Sequence, residues 1–229
     1  MSRKILISSP TADLKSYCLE EWLENVFNLT YDNYDVHIVD NSEDSNYMKK
    51  IREEYGDRLT IERVSPSQYT SFKSALAASH EKCRQKAIKG GYDYLLHLES
   101  DIFPPLDIIE RLLDAKKKIV GALYHIELGG DSKLMVQQIE KFGQAHRETY
   151  NLDQNDLTFV DGTIKKVFSC GLGCVLIHKS VFKNVSFRSE GDIVHPDSIF
   201  YADLDKKGIS VHVDTSIYCK HDNKSMTRT

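Results

Sequence analysis

Apolar residues in this chain fall into short continuous runs separated by stretches with helical spacing. Lys4 to Ser8 encloses Ile5, Leu6 and Ile7, the pattern of a strand buried on both faces. Ser9-Pro10-Thr11-Ala12 reads as a turn, with Asp13 as the N-cap of a helix. Leu14, Tyr17, Cys18, Trp22, Val26 and Leu29 then recur at helical spacing. Tyr34 to Asp40 is a second strand and ends on an acid. Asn46 to Tyr55 is a charged helix, and Leu59 to Val64 alternates as a strand with one wetter face. Tyr69 to Lys89 is a long helix with Phe72, Leu76, Ala77, Cys83, Ala87 and Ile88 on its apolar side. After the Gly90-Gly91 turn, Tyr92, Tyr94, Leu95, Leu96 and Leu98 form another buried strand. It halts at Glu99-Ser100-Asp101, and Pro104-Pro105 forbids its continuation. A short helix over Leu106 to Ala115 and a strand over Ile119 to Tyr124 come next.

This alternation predicts an α/β protein with a mostly parallel central sheet and helices on both faces. Glu127 to Asp161 breaks the pattern. Its periodicity is weak, and it reads as an excursion or a mobile loop region over the site. The main pattern resumes with a strand at Ile164 to Phe168, a glycine turn at Cys170 to Cys174 and a strand at Val175 to His178. A short helix at Lys179 to Phe182, a helix from Pro196 to Gly208 and a strand from Ile209 to Val213 complete it, before the polar tail from Asp222 to Thr229. No GxGxxG occurs, so dinucleotide binding through that fingerprint is unsupported.

Composition narrows the picture. The 229 residues suit one large domain, and 41% hydrophobic with 28% charged residues is ordinary for a globular chain. A net charge of −4 supplies no global basic field for nucleic acid or anionic lipid. No apolar run approaches the ~20 residues of a membrane span, and the N-terminus lacks the apolar region of a signal peptide, so a cytoplasmic location is expected. Five cysteines without a CxxC pair read as reduced thiols.

The chemistry concentrates where the buried strand emerges at Glu99-Ser100-Asp101. Two acids one residue apart point to the same side of an extended backbone. They can bind a hard divalent cation, which in turn can bind phosphate oxygens. In open α/β sheets, ligands sit beyond the carboxyl ends of the strands. The triplet resembles the DxD motif of GT-A-fold glycosyltransferases, the family 2-like group in particular. Cys170-Gly-Leu-Gly-Cys-Val-Leu-Ile-His-Lys-Ser-Val-Phe182 resembles that family's glycine turn, strand and short helix, with His178 or Lys179 near the usual Arg. Pro196-Asp197 to Phe200 and Gly208 resembles its acid-opened helix, with Pro196 standing where the family has its first acid. Val213 to His221 resembles a late strand leading to a single His.

The resemblance covers nearly the full chain in the right order, and it implies one GT-A domain over residues 1–229. Residues 1–124 or so would form the nucleotide-sugar half. Residues from about 125 to 229 would form the acceptor half, with a small antiparallel extension. Glu99, Asp101 and His221 would hold Mn²⁺ or Mg²⁺. Ser9, Pro10, Thr11 and Asp40, with the two acids of the triplet, would bind the nucleotide-diphosphate sugar, a UDP- or GDP-sugar. Asp197 would be the catalytic base, with Asp203 a second candidate on the same helix. The implied reaction is an inverting transfer of the sugar to an acceptor hydroxyl on a glycan, protein, lipid or modified nucleic acid. Read as residues alone, each has an ordinary alternative. Asp40 could be a turn acid, Asp197 an N-cap, His221 a lone histidine and Lys73 a surface lysine. Rival readings are a nucleotidylyltransferase, a non-catalytic sugar-nucleotide or glycan-binding module, and a phage-type transferase acting on modified DNA bases. The first lacks support, because Ser8-Ser9-Pro10-Thr11 has no glycine.

Overall fold

The computed structural model describes residues 2–128, 131–142, 146–153 and 158–222. Its first half runs β1 (Ile5–Thr11), α1 (Ser16–Phe27), β2 (Tyr34–Asp40), α2 (Asn46–Tyr55), β3 (Thr60–Arg63), α3 (Phe72–Lys89) and β4 (Tyr94–Leu98). A two-residue β5 (Ile102–Phe103), α4 (Ile108–Asp114) and β6 (Ile119–Leu123) succeed them. Next come β7 (His125–Leu128), β8 (Asp131–Phe142), β9 (His146–Asp153), β10 (Ile164–Val167) and β11 (Cys174–His178). The last elements are α5 (Lys179–Phe182), α6 (Pro196–Lys206), β12 (Val211–Tyr218) and β13 (Lys220–His221). The polar tail beyond Asp222 lies outside the described residues.

Eight strands form the central sheet in the order β10-β12-β6-β11-β4-β1-β2-β3. β1 pairs in parallel with β2 and β4, β2 with β3, and β12 with β6, while β10 and β11 run against their neighbours. The sheet is therefore mostly parallel, as the strand–helix alternation predicts. Side-chain alternation splits the core into two layers. Ile5, Ile7, Leu96 and Leu98 face the layer that holds Trp22 and Leu23 of α1, Ile51 of α2 and Ile109 of α4. Leu6, Leu95 and Ile177 face the opposite layer, with Phe182 of α5 and Phe200 of α6.

Two local expectations change. Ser9-Pro10-Thr11 is strand and not turn, because β1 stays in register with β2 as far as Thr11 opposite Asp40. β1 pairs with β4 only as far as Ser8, so Pro10 lies where one side of β1 is already an open edge and its missing N–H costs little. Asp13 lies within a single 3₁₀ turn, Asp13–Lys15, whose N-cap is Ala12. Its backbone N–H instead donates to Ser42 Oγ at 2.8 Å.

The stretch expected to be a mobile loop contains a three-stranded antiparallel sheet, β7-β8-β9. Leu134 and Val136 of β8 are buried in the second core layer, and Gln137 bridges to Ser169 beside the central sheet. One short apolar patch, Leu134-Met135-Val136, anchors this sheet, too little to stand out as periodicity in a polar context. Replacing Leu134 by Ala should cost about 2–4 kcal/mol of unfolding free energy, measured by urea titration, if β8 is part of the core. A change within ~0.5 kcal/mol would mean that it is not.

Candidate functional site

The carboxyl edge of the sheet opens into a cavity of about 410 Å³. Its walls come from the end of β1 and the turn after it (Pro10, Thr11, Lys15), the end of β4 (Glu99), β6–β8 (Tyr124, Ile126, Met135), the start of α6 (His195, Asp197) and β13 (His221). Residues far apart in sequence meet here for backbone reasons. β5 pairs antiparallel with β13, which sets His221 opposite Ile102, next to Asp101. Asp222 N–H donates to Asp101 O at 2.9 Å, and Glu99 N–H donates to Gly173 O at 2.9 Å.

Asp101 is 1% exposed, and its Oδ1 is buried without a hydrogen-bond partner. Its Oδ2 lies 2.9 Å from Lys15 Nζ and 3.6 Å from His221 Nε2. His221 Nδ1 is 2.6 Å from the His125 carbonyl, which can only accept, so Nδ1 carries a hydrogen. The Nε2 that remains faces the carboxylate. An imidazole fixed by a backbone carbonyl on one nitrogen is the arrangement seen behind metal-bound histidines. Burial pushes the His221 imidazole down, and Asp101, the His125 carbonyl and Glu99 together raise it by more, which in the metal-free protein favours a proton on Nε2 facing the carboxylate. A divalent cation would replace that proton. The orphaned Oδ1 and the paired Nε2 therefore fit a metal. Glu99 stands on the same wall, yet among the described residues no three His, Cys, Asp or Glu side chains gather as a metal cluster.

Of Glu99, Asp101 and Asp197, only Glu99 is raised. Burial pushes its carboxyl up to about 7, Lys15 pulls it down, and Asp101 pushes it up again. Lys15 is itself pulled down by burial and raised by more through Glu99 and Asp101. Across the cavity, Asp197 occupies the first turn of α6, behind Pro196, and is 8% exposed. His195 Nδ1 approaches its Oδ1 to 3.2 Å and His80 Nε2 to 3.8 Å, neither as an aligned hydrogen bond. Burial raises the Asp197 carboxyl, and the close approach of His195 leads the effects that lower it.

Other predicted site residues fall differently. Thr11 lines the cavity and its Oγ1 shares a 3.0 Å hydrogen bond with Ser100 Oγ. Ser9 and Asp40 do not line it. Ser9 is buried with its hydroxyl on the Pro10 carbonyl at 3.1 Å. Asp40 is fully buried one strand out, where Oδ1 accepts from the Ser42 N–H and hydroxyl, while Oδ2 has no hydrogen-bond partner and lies 3.9 Å from Arg63. Asn41, its neighbour, reaches the cavity instead. Asp203, the second candidate base, is held by Arg188 at 2.8 and 2.9 Å. Lys179 pairs with Asp93, and Lys73 donates to the carbonyls of Asp192 and Ile193. The glycine turn meets Tyr124. Gly171 has φ +64°, and a Cβ on Gly171 or Gly173 would collide with the Tyr124 ring or hydroxyl. The glycines thus seat a cavity-wall tyrosine, whose hydroxyl accepts the Gly173 N–H at 3.1 Å.

Lys15, His195, Tyr124 and Met135 are wall residues that the sequence patterns do not single out. Lys15 has a signal, as the first cation after a strand whose neighbour ends in two acids.

The raised Glu99 carboxyl makes a testable statement about stability. In the fold the neutral acid is favoured, so its contribution is present at low pH and is lost as pH rises from the ordinary 4.5 through about 7. In chelator-treated protein, wild type should lose about 1–3 kcal/mol more than Glu99→Gln between pH 5 and pH 8, measured by denaturant titration. Parallel pH curves for the two proteins would show that Glu99 is not perturbed.

No protein-family model matches the chain, and no curated protein matches it in sequence. Solved structures do. The structure of GalNAc-T7 with UDP, GalNAc and Mn²⁺ superposes with a TM-score of 0.66 at 10% identity, over 96% of this chain and 44% of that one. S. aureus TarS superposes at 0.60 and 12% identity, over 97% and 38%. A TarS 1–349 structure in complex with UDP gives 0.61 and 12%, over 97% and 62%. The chain thus spans less than two thirds of each of these solved chains. Sheet order, cavity placement and these superpositions agree that this protein has the GT-A glycosyltransferase fold.

Proposed function

We propose that the protein transfers a sugar from a nucleotide-diphosphate donor to an acceptor hydroxyl, with the help of a divalent cation, Mn²⁺ or Mg²⁺. The observation that carries this reading is the meeting of Asp101, with a buried unpartnered oxygen, and His221, with its Nδ1 held by a carbonyl, across one cavity from Asp197. That solved chains of the same fold hold UDP, and one of them Mn²⁺, supports it further. A cation on Asp101 and His221, with Glu99 direct or through water, would supply Lewis-acid charge against the diphosphate leaving group.

The remaining roles belong to the chain. Pro10, Thr11, Lys15 and Asn41 line the donor side, while Asp40 stays buried one strand out behind them. Lys15 is placed to contribute positive charge to the phosphates. Asp197 takes the acceptor proton, which makes the hydroxyl a better nucleophile. A base acting opposite the leaving group gives inversion of the anomeric centre. Tyr124, Ile126 and Met135 keep that wall dry and exclude water as a competing acceptor. On this reading residues 1–124 supply most of the donor side. Residues 125–229 supply the acceptor side together with the late ligand His221. No helix among the described residues is long and apolar enough to cross a membrane.

A thermal-shift screen of UDP-, GDP-, CDP- and TDP-sugars, each with and without Mn²⁺, tests the reading. One nucleotide should raise the melting temperature, and more so with metal. Asp101→Ala should abolish the metal-dependent part; a full shift in that variant removes the metal assignment. Asp197→Asn should bind donor normally and lose transfer by at least about 100-fold. Full transfer by it would exclude Asp197 as base.

A further inference from the structure

Behind Asp197 lie two fully buried histidines that the reaction above does not use, His80 on α3 and His97 on β4. Phe187 packs over both, with ring centroids 5.6 and 6.0 Å away. His97 Nδ1 is 2.7 Å from the Leu172 carbonyl, so Nδ1 carries the hydrogen. Both rings are fully buried under Phe187 with only a carbonyl and each other as hydrogen-bond partners, surroundings that favour the neutral imidazole. A neutral His97 with its hydrogen on Nδ1 offers a lone pair at Nε2. His80 Nδ1, 2.8 Å away, must donate to it. The one hydrogen of His80 is then committed, and its Nε2 is a lone pair as well. That lone pair faces Asp197 Oδ1 at 3.8 Å, and both atoms are buried without a hydrogen-bond partner. Two acceptors face each other with no hydrogen between them, an arrangement that is costly in a dry interior.

We propose that His80 is a positioning residue for Asp197: the proton that Asp197 takes from the acceptor closes a buried O–H···N hydrogen bond to His80 Nε2. The inference rests on the glycosyltransferase reading with Asp197 as base. The acceptor O–H bond breaks, its electron pair forms the new bond to the anomeric carbon, and the proton goes to the cavity-side oxygen of Asp197, Oδ2; rotation of the carboxyl about Cβ–Cγ then turns the O–H toward His80. The sugar–phosphate bond breaks with its electrons on the leaving diphosphate. His80 stays neutral. No proton travels further, because the far end of His97 is blocked by its own N–H on the Leu172 carbonyl. The pair is a fixed acceptor and not a wire. Its effect is to stabilise the proton-loaded carboxyl over the free carboxylate, which strengthens the base where the reaction needs it.

Other groups act on the same carboxyl. His195, raised by its closeness to Asp197, favours the carboxylate when protonated and so opposes His80. Glu99 at the end of β4, Tyr124 after β6, Cys170 and Tyr201 complete the titratable surroundings.

His80→Asn tests the inference. The asparagine amide reaches about as far as Nδ1, so it can still donate to His97 while the Nε2 lone pair is gone. Thermal shift with the donor nucleotide should be unchanged, and the acceptor KM should stay within about twofold. The kcat should fall by about 10-fold or more, with its acid limb moved to lower pH, because the proton-loaded carboxyl has lost its partner. A purely structural role would not move that limb. An unmoved limb in an active, donor-binding variant overturns the inference and leaves the glycosyltransferase reading intact. Absence of transfer by the wild type overturns both. Nitrogen NMR of the wild-type imidazoles gives a readout that needs no variant to fold: both rings should carry hydrogen on Nδ1. A hydrogen on His80 Nε2 in the free protein overturns the inference.

Discussion

Glu99 and Asp197 line one cavity at the carboxyl edge of the sheet, Asp101 lies buried beside it against Lys15 and His221, and the charge of all three must be balanced there. Burial weakens solvation of each, and Glu99 responds by holding its proton to about 7. Lys15 and His221 answer Asp101, and His195 answers Asp197. A diphosphate entering this cavity would bring still more negative charge. Lys15, His195 and His221 are the cations facing that charge, which is the electrostatic argument behind the proposed divalent cation.

The fold supplies the positions through backbone pairing. β4 delivers Glu99 as the last residue before the chain turns, and the Gly173 carbonyl holds its N–H. The two-residue ribbon of β5 and β13 does the same for Asp101 and His221, over a sequence gap that no local signal spans. Pro196 opens α6 so that Asp197 falls in its first turn, where the helix dipole favours a carboxylate. Behind this wall, Phe187 and Phe200 stack at 4.4 Å and keep the histidine pair dry. Tyr124 couples the two halves of the site: it lines the cavity, accepts the Gly173 N–H and meets His221 edge-on at 5.7 Å.

Much of the scaffold is legible in the sequence, since buried parallel strands write themselves as continuous apolar runs. Ile5 to Ile7, Leu95 to Leu98 and Ile119 to Leu123 are such runs, and their order with the strand-end acids points to the GT-A fold. The excursion is harder to read. β8 is anchored by the short Leu134-Met135-Val136 patch, and its contact with Ser169 spans a long sequence gap, so its strand character depends on tertiary contacts. Pro10 reads as a turn because proline is rare inside sheets, and only the early end of β4 pairing makes it harmless. Glu99, Asp101, Asp197 and His221 do meet, whereas Asp40 stays behind its own Ser42 and Arg63 contacts. His80 and His97 are invisible for another reason. A histidine within an apolar run carries no periodicity signal, and its meaning here comes from a carbonyl, a ring and a carboxylate on three different elements.

On the proposed reading, Asp101 and His221 share a cation beside a bound nucleotide diphosphate. Manganese anomalous scattering from a crystal grown with Mn²⁺ and UDP measures this directly. One strong peak should appear between the Asp101 carboxylate and His221 Nε2, in contact with diphosphate oxygens. UDP bound in the cavity with no manganese at those two side chains would contradict the assignment.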